Sequence, residues 1–170
     1  DYVTKPYIHE IVVRRVENVI ASHTRFREIL KQYTKTLEPS QTDSLTGLYN
    51  RAGAMSIVDN IFEDEPEGKH AMLEIDPDHF KTINAQYGHE VGNAALRAVA
   101  AVLKNYFRAN DIVSRIEGDR FCVFMTSIPS EDMVMNKCQM LCEKISNTSV
   151  NGANIPLSVS IGVAVSDRKS

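Results

Sequence analysis

Apolar positions along this chain recur with two different periods. Val12, Val16, Val19, His23, Phe26, Leu30, Tyr33 and Leu37 alternate in steps of four and three within 7–38, a stretch without glycine or proline. That spacing predicts one long helix with a heptad seam, and such a stripe has to be buried. Too little chain precedes it to supply the cover, so a second copy of the same helix is the expected partner. His23 is the one polar member of the seam; it either sets register or responds to pH.

Pro39 and Ser40 end this helix, and "DSLTGLYNR" at 43–51 reads as a turn-rich lead-in. Asn50 is placed to cap a helix over 51–63, with Met55, Val58, Ile61 and Phe62 inward. "EDEPEG" at 63–68 is a solvated loop, and 70–76 reads as a strand ending in acid. A short helix is expected over 80–87, stopped by Gly88. A longer one follows over 90–107, with Val91, Ala95, Leu96, Val99, Val102, Leu103 and Phe107 on one side.

Residues 112–126 read as a hairpin with Glu117, Gly118 and Asp119 at its tip. Ser130 opens a helix to 146, with Glu131 and Asp132 in the first turn and Val134, Cys138, Leu141, Cys142 and Ile145 inward. Ile155, Leu157, Val159, Ile161, Val163 and Val165 alternate with smaller residues, the period of a strand buried on one face. The whole reads as an α+β, two-layer domain over 39–170, with a mixed, partly antiparallel sheet flanked by helices. It stands behind a coiled-coil connector over 1–38.

Composition narrows the function classes. A net charge of −3 argues against a general nucleic-acid binder. No apolar run approaches the roughly 18 residues of a membrane span. Three cysteines without a CxxC pair fit a reducing, cytoplasmic setting, with Cys138 and Cys142 on one buried helix face rather than at a metal. The chain begins at Asp1 and is expected to be a fragment of a longer protein.

The acids with the most chemical promise are Asp76, Asp78 and Asp119. Asp76 ends a strand and Asp119 sits at a hairpin tip. If those strands are neighbours, the two carboxylates meet at one end of the sheet. Such a pair suits Mg²⁺, which takes one or two carboxylates together with phosphate oxygens. Solvated acids at a strand end and a turn are the plainer reading.

"DSLTGLYNR", "IDPDHFKTINAQYGHEVGN", "RANDIVSRIEGDRF" and "LSVSIGVAV" come in an order and spacing that resemble a GGDEF domain, of the diguanylate cyclase family. The resemblance covers about 40–166. It implies a fold like nucleotidyl cyclase and palm-type polymerase domains, and condensation of two GTP into cyclic di-GMP with Mg²⁺. It also implies roles for single residues. Asp76 and Asp119 match metal ligands, and the Pro77 carbonyl falls where a further metal ligand is expected. Gly118 and Asn84 belong to the nucleotide site, Asn84 as a reader of guanine. Arg108 and Asp111 match an RxxD site for cyclic di-GMP. Separately, "DYVTKPYIHEIVVRRVENVI" resembles the end of a response-regulator receiver domain, with Lys5-Pro6 as the matching pair.

Three departures from the family pattern bear on chemistry. The signature appears as Glu117-Gly118-Asp119-Arg120-Phe121. Arg120 stands in place of an acid tied to metal, a change of two charge units. Each unit is worth roughly 4 kcal/mol against a positive charge at about 4 Å and an effective dielectric near 20. Glu117 replaces a glycine beside the phosphates. Asn93 stands where an acid would read guanine; its amide offers one acceptor where a carboxylate offers two. The family pattern continues into a C-terminal helix with basic residues for the phosphates, and the sequence given stops at Ser170, before that segment. The expectation is very weak or no cyclase activity. Three readings remain open: an inactive domain binding cyclic di-GMP at Arg108 and Asp111, an active cyclase, or a dimerisation scaffold that binds no nucleotide. A GTP-binding variant using Asn84 and Arg120 lies between the first two.

Overall fold

The computed structural model describes residues 41–64, 68–150 and 155–166. The seam helix expected over 7–38, with His23, and the Lys5-Pro6 pair lie outside the described residues. In chain order the elements are β1 (Tyr49–Asn50), α1 (Arg51–Asp64), β2 (Ala71–Pro77), α2 (Phe80–Tyr87) and α3 (His89–Tyr106). Then come β3 (Ile112–Glu117), β4 (Arg120–Met125), α4 (Glu131–Ser146) and β5 (Val159–Val165). The strands form one sheet in the order β1-β3-β4-β2-β5. Only the β1–β3 pairing is parallel; β3–β4, β4–β2 and β2–β5 are antiparallel.

The local signals that start and stop the helices act as expected. Asn50 Oδ1 accepts from the Gly53 amide at 2.9 Å and so caps α1. Ser130 Oγ accepts from the Met133 amide at 3.2 Å at the start of α4. Gly88, at φ 87°, takes the backbone turn that ends α2, and its amide donates to Asn84 O at 2.9 Å.

Strict alternation along β2 buries Ala71, Leu73, Ile75 and Pro77 on one face. Phe121 and Val123 of β4 continue that face, and Ile83, Leu96, Val99, Leu103, Val134, Leu141 and Ile145 of α2, α3 and α4 cover it. The opposite face carries Met72, Phe124 and Ile112, packed under Ala54, Ile57, Val58 and Ile61 of α1. That second face is where Glu74, Asp76 and Arg120 also stand, at the end of the sheet beyond the α1 contacts.

Two sequence expectations need correction. The last strand starts at Val159 rather than Ile155. Its partner β2 ends at Pro77, which pairs with Val159, so nothing is left for earlier residues to pair with beyond one bond from the Asp78 amide to Ser158 O. Ile155 and Leu157 are buried all the same. Phe62, expected inward, is 41% exposed; its ring meets His70 and Phe124 edge-on at 5.4 and 5.3 Å. The lead-in at 43–51 also holds the short strand β1, which the sequence pattern did not announce.

Candidate functional site

The signature hairpin is built from its backbone outward. Glu117 pairs with Arg120, leaving Gly118 and Asp119 as a two-residue turn, and a bulge lies between Arg115 and Glu117. Gly118 sits at φ 58°, a region that suits glycine at the first position of such a turn. Arg115 holds the tip from below. Its Nε and Nη2 donate to Gly118 O at 2.8 and 2.5 Å. Its Nη1 donates to both carboxylate oxygens of Asp43 at 3.0 and 3.1 Å. Asp43 Oδ1 also accepts from the Thr46 amide and hydroxyl at 2.9 and 2.6 Å. Burial alone would raise the Asp43 carboxyl, but the hydrogen bonds from Thr46 and Arg115 outweigh it and hold it below the ordinary carboxylate range.

Because β2 and β4 are antiparallel neighbours, the last residues of β2 and the first of β4 share one end of the sheet. The structure therefore brings Asp76 and Asp119 to the same end, as the sequence suggested. The pairing runs to Ile75↔Phe121; one step further sets Asp76 across from Arg120. Residues directly opposite in a ladder share a face, as do residues two apart on one strand. Glu74, Asp76 and Arg120 thus form one cluster, with Glu117 across from Arg120 on its other side. Within it Arg120 Nη1 pairs with Glu74 Oε1 at 3.3 Å, the guanidinium half-exposed. On the β5 side Asp76 is opposite Ser160, whose hydroxyl donates to Asp78 Oδ1 at 2.7 Å.

Among the described residues the Asp76 and Asp119 side chains have no hydrogen-bond or ion-pair partner. No three His, Cys, Asp or Glu side chains there are grouped to hold a metal alone. Two carboxylates fit the way Mg²⁺ is held in nucleotide sites, where phosphate oxygens and water complete the shell. The donors present therefore suit one such ion together with nucleotide, and Arg120 opposes a second.

Asn84 lies on α2 and Asn93 on α3, both half-buried, on two helices packed together. Gly92 of α3 faces the Asn84 side chain. A Cβ there would land on Asn84 Oδ1 and within 2.9 Å of Asn84 Cγ. The amide expected to read guanine is thus seated over a glycine that leaves it room.

In the RxxD pair the acid is engaged by backbone and the arginine side chain is open. Asp111 is buried, and its oxygens accept from the backbone amides of Arg108 and Thr126 at 3.0 and 3.3 Å. It closes the turn between α3 and β3, helped by its own amide donating to Arg108 O at 3.0 Å. The Arg108 side chain is exposed and makes no such contact among the described residues. Arg108 and Asp111 do meet, but through Arg108's backbone.

The cysteines have a structural character. Burial, then the charge of Glu74, pushes Cys122 up to about 12. Burial, then Cys142, pushes Cys138 up to about 11. Such thiols stay protonated and are poor metal ligands. Three residues that matter to the site escaped the sequence reading: Asp43, Arg115 and Glu74. The Asp43-x-x-Thr46 spacing of a side-chain turn was a signal for the first.

A mixed, mainly antiparallel sheet with carboxylates gathered at one end beside a glycine hairpin defines a domain of the nucleotidyl-cyclase type. The family model for "Diguanylate cyclase, GGDEF domain" matches residues 40–170, and the chain belongs to that family. DgcC of Escherichia coli K12, a probable diguanylate cyclase, is 31% identical over 138 residues, covering 79% of this chain and 37% of that protein. The response regulator PleD of Caulobacter vibrioides is 30% identical over 171 residues, covering 98% of this chain and 37% of that one. This chain therefore spans little more than a third of either relative. The coiled coil and GGDEF domain of DgcB from Caulobacter crescentus, in complex with c-di-GMP, superposes with a TM-score of 0.70 at 23% identity. It covers 94% of this chain and 85% of that one, a likeness of fold. Among the described residues no helix is long and apolar enough to cross a membrane.

Proposed function

We propose that this chain is a GGDEF signalling domain that has lost cyclase turnover and acts as a receptor for cyclic di-GMP. It would work in a cytoplasmic response regulator, dimerised by the seam helix that the sequence predicts over 7–38. The likeness to PleD along 98% of the chain and the Lys5-Pro6 pair support that setting.

The observation that carries the loss of turnover is the place of Arg120. It stands on the face of Asp76 and is paired with Glu74 at 3.3 Å. Transfer at phosphorus relies on metal ions that bridge the reacting oxygens and neutralise charge as it develops. Mg²⁺ at Asp76 and Asp119 would neutralise phosphate charge when nucleotide is bound. A guanidinium standing on that face repels the second ion. Glu117 adds negative charge across from it, and Asn93 gives a weaker match to the guanine edge than an acid would.

For cyclic di-GMP, Arg108 supplies an exposed fork of donors that suits a guanine acceptor edge or a phosphate. Asp111 contributes by fixing the turn that presents it. Calorimetric titration of cyclic di-GMP into wild type and Arg108→Ala tests this. Micromolar or tighter binding that is lost in the variant is expected, with no cyclic di-GMP formed from GTP and Mg²⁺. Turnover at rates typical of enzymes, or binding indifferent to Arg108, would overturn it.

A further inference from the structure

We infer that Arg120 is a built-in cation for the triphosphate of a guanine nucleotide, held by Glu74 until phosphate displaces it, so that nucleotide binding no longer depends on a divalent ion. This deepens the reading above and rests on its loss of turnover.

The geometry points to such an exchange. Arg120 begins β4 at the sheet end where Asp76 and Asp119 stand without partners among the described residues. Two bare carboxylates repel a triphosphate, so a cation has to accompany it. Arg120 is already there, across the ladder from Asp76. Its hold on Glu74 is one contact at 3.3 Å, with both side chains partly open to solvent at 50% and 35%. A single exposed pair of this kind is weak. A phosphate offers the guanidinium two parallel hydrogen bonds, which is a better partner. Space is available as well. Glu74 lies opposite Gly162 on β5, which has no side chain to block the swing of either group.

Two variants give effects of opposite sign. Arg120→Ala removes the cation, and Glu74→Gln releases it. The probe is the non-hydrolysable analogue GMPPNP, titrated by calorimetry in EDTA and again in Mg²⁺. Wild type is expected to bind in EDTA within about threefold of its affinity in Mg²⁺. Arg120→Ala should lose at least about tenfold in EDTA and regain part of it in Mg²⁺, while Glu74→Gln should bind more tightly than wild type in EDTA. Wild-type binding that collapses in EDTA, or affinities unchanged by both variants, would overturn the inference. A melting curve on each sample reports folding, and a cyclic di-GMP titration keeps the two claims apart. Loss of that signal in Arg108→Ala speaks only to the receptor, and GTP turnover speaks only to the lost reaction.

Discussion

Asp43 and Arg115 lie 72 positions apart, yet both oxygens of the one accept from Nη1 of the other at 3.0 and 3.1 Å. The same guanidinium holds the Gly118 carbonyl. One side chain therefore ties the lead-in segment to the signature tip, at 15% and 21% exposure for the pair. Arg115→Ala should cost about 2 kcal/mol, the scale for hydrogen bonds to charged groups with little solvent to replace them. Urea denaturation measures it directly.

The same pair sets a pH dependence. The Asp43 carboxyl is held below its ordinary value of 3.8 in the folded chain. Its contribution is therefore fully present above that value and is lost as pH falls through the lower, folded-state value. Urea midpoints followed downward from about pH 5 should decline less steeply in Asp43→Asn than in wild type. Parallel declines would show that Asp43 does not carry this part of the acid sensitivity.

Gly92→Ala probes the seat of Asn84. In an open helix the change would be neutral or helpful, because alanine is the better helix former by about 1 kcal/mol. Here the new Cβ meets the Asn84 amide. The side chain has to swing aside, and Phe80 Cζ, 3.3 Å from the new Cβ, has to give only by a few tenths of an ångström. Affinity for GMPPNP should drop several-fold with little change in thermal stability, and a calorimetric titration beside a melting curve separates the two effects.

Gly118→Ala isolates backbone strain. Nothing lies within 4 Å of the position a Cβ would take, so there is no clash. The φ of 58° alone penalises the substitution, by about 1 kcal/mol. Gly118→Asn should cost less, since asparagine tolerates this region better than alanine. Equal losses for the two would mean that conformation is not the cause.

Thiol chemistry gives a fifth check. Cys122 and Cys138, pushed up to about 12 and about 11, are nearly all thiol near neutrality. At about pH 8, iodoacetamide should leave both unmodified in the native chain and label all three cysteines once it is unfolded. Peptide mass mapping reads the difference.

Much of the architecture is legible in the residues because local rules coincide with the fold. Asn50, Gly88 and Ser130 mark helix ends by chemistry that acts within four residues, and α2 was read at its observed bounds. The placing of Asp76 and Asp119 at the same end of the sheet needed only that β2 and β4 be neighbours. What stayed hidden depends on distant partners. β5 is shorter than its own alternation because β2 ends first. The bonds that Asp111 accepts from the backbone amides of Arg108 and Thr126 join a turn to a strand end and are not visible in the RxxD spacing. The engagement of Arg120 with Glu74 spans two strands and follows from register, which no single segment contains.

The sheet order has a consequence for how the domain assembles. β3 and β4 are joined by a two-residue turn, so their pairing closes almost no loop. β2 has to reach β4 with α2 and α3 in between, a closure that costs entropy before it returns contacts. The hairpin is thus the piece able to form first, and β2 zips onto it later. The Gly118 carbonyl is held from within the hairpin by Arg115, whereas the acid of β2 reaches the same end of the sheet only through a long-range closure.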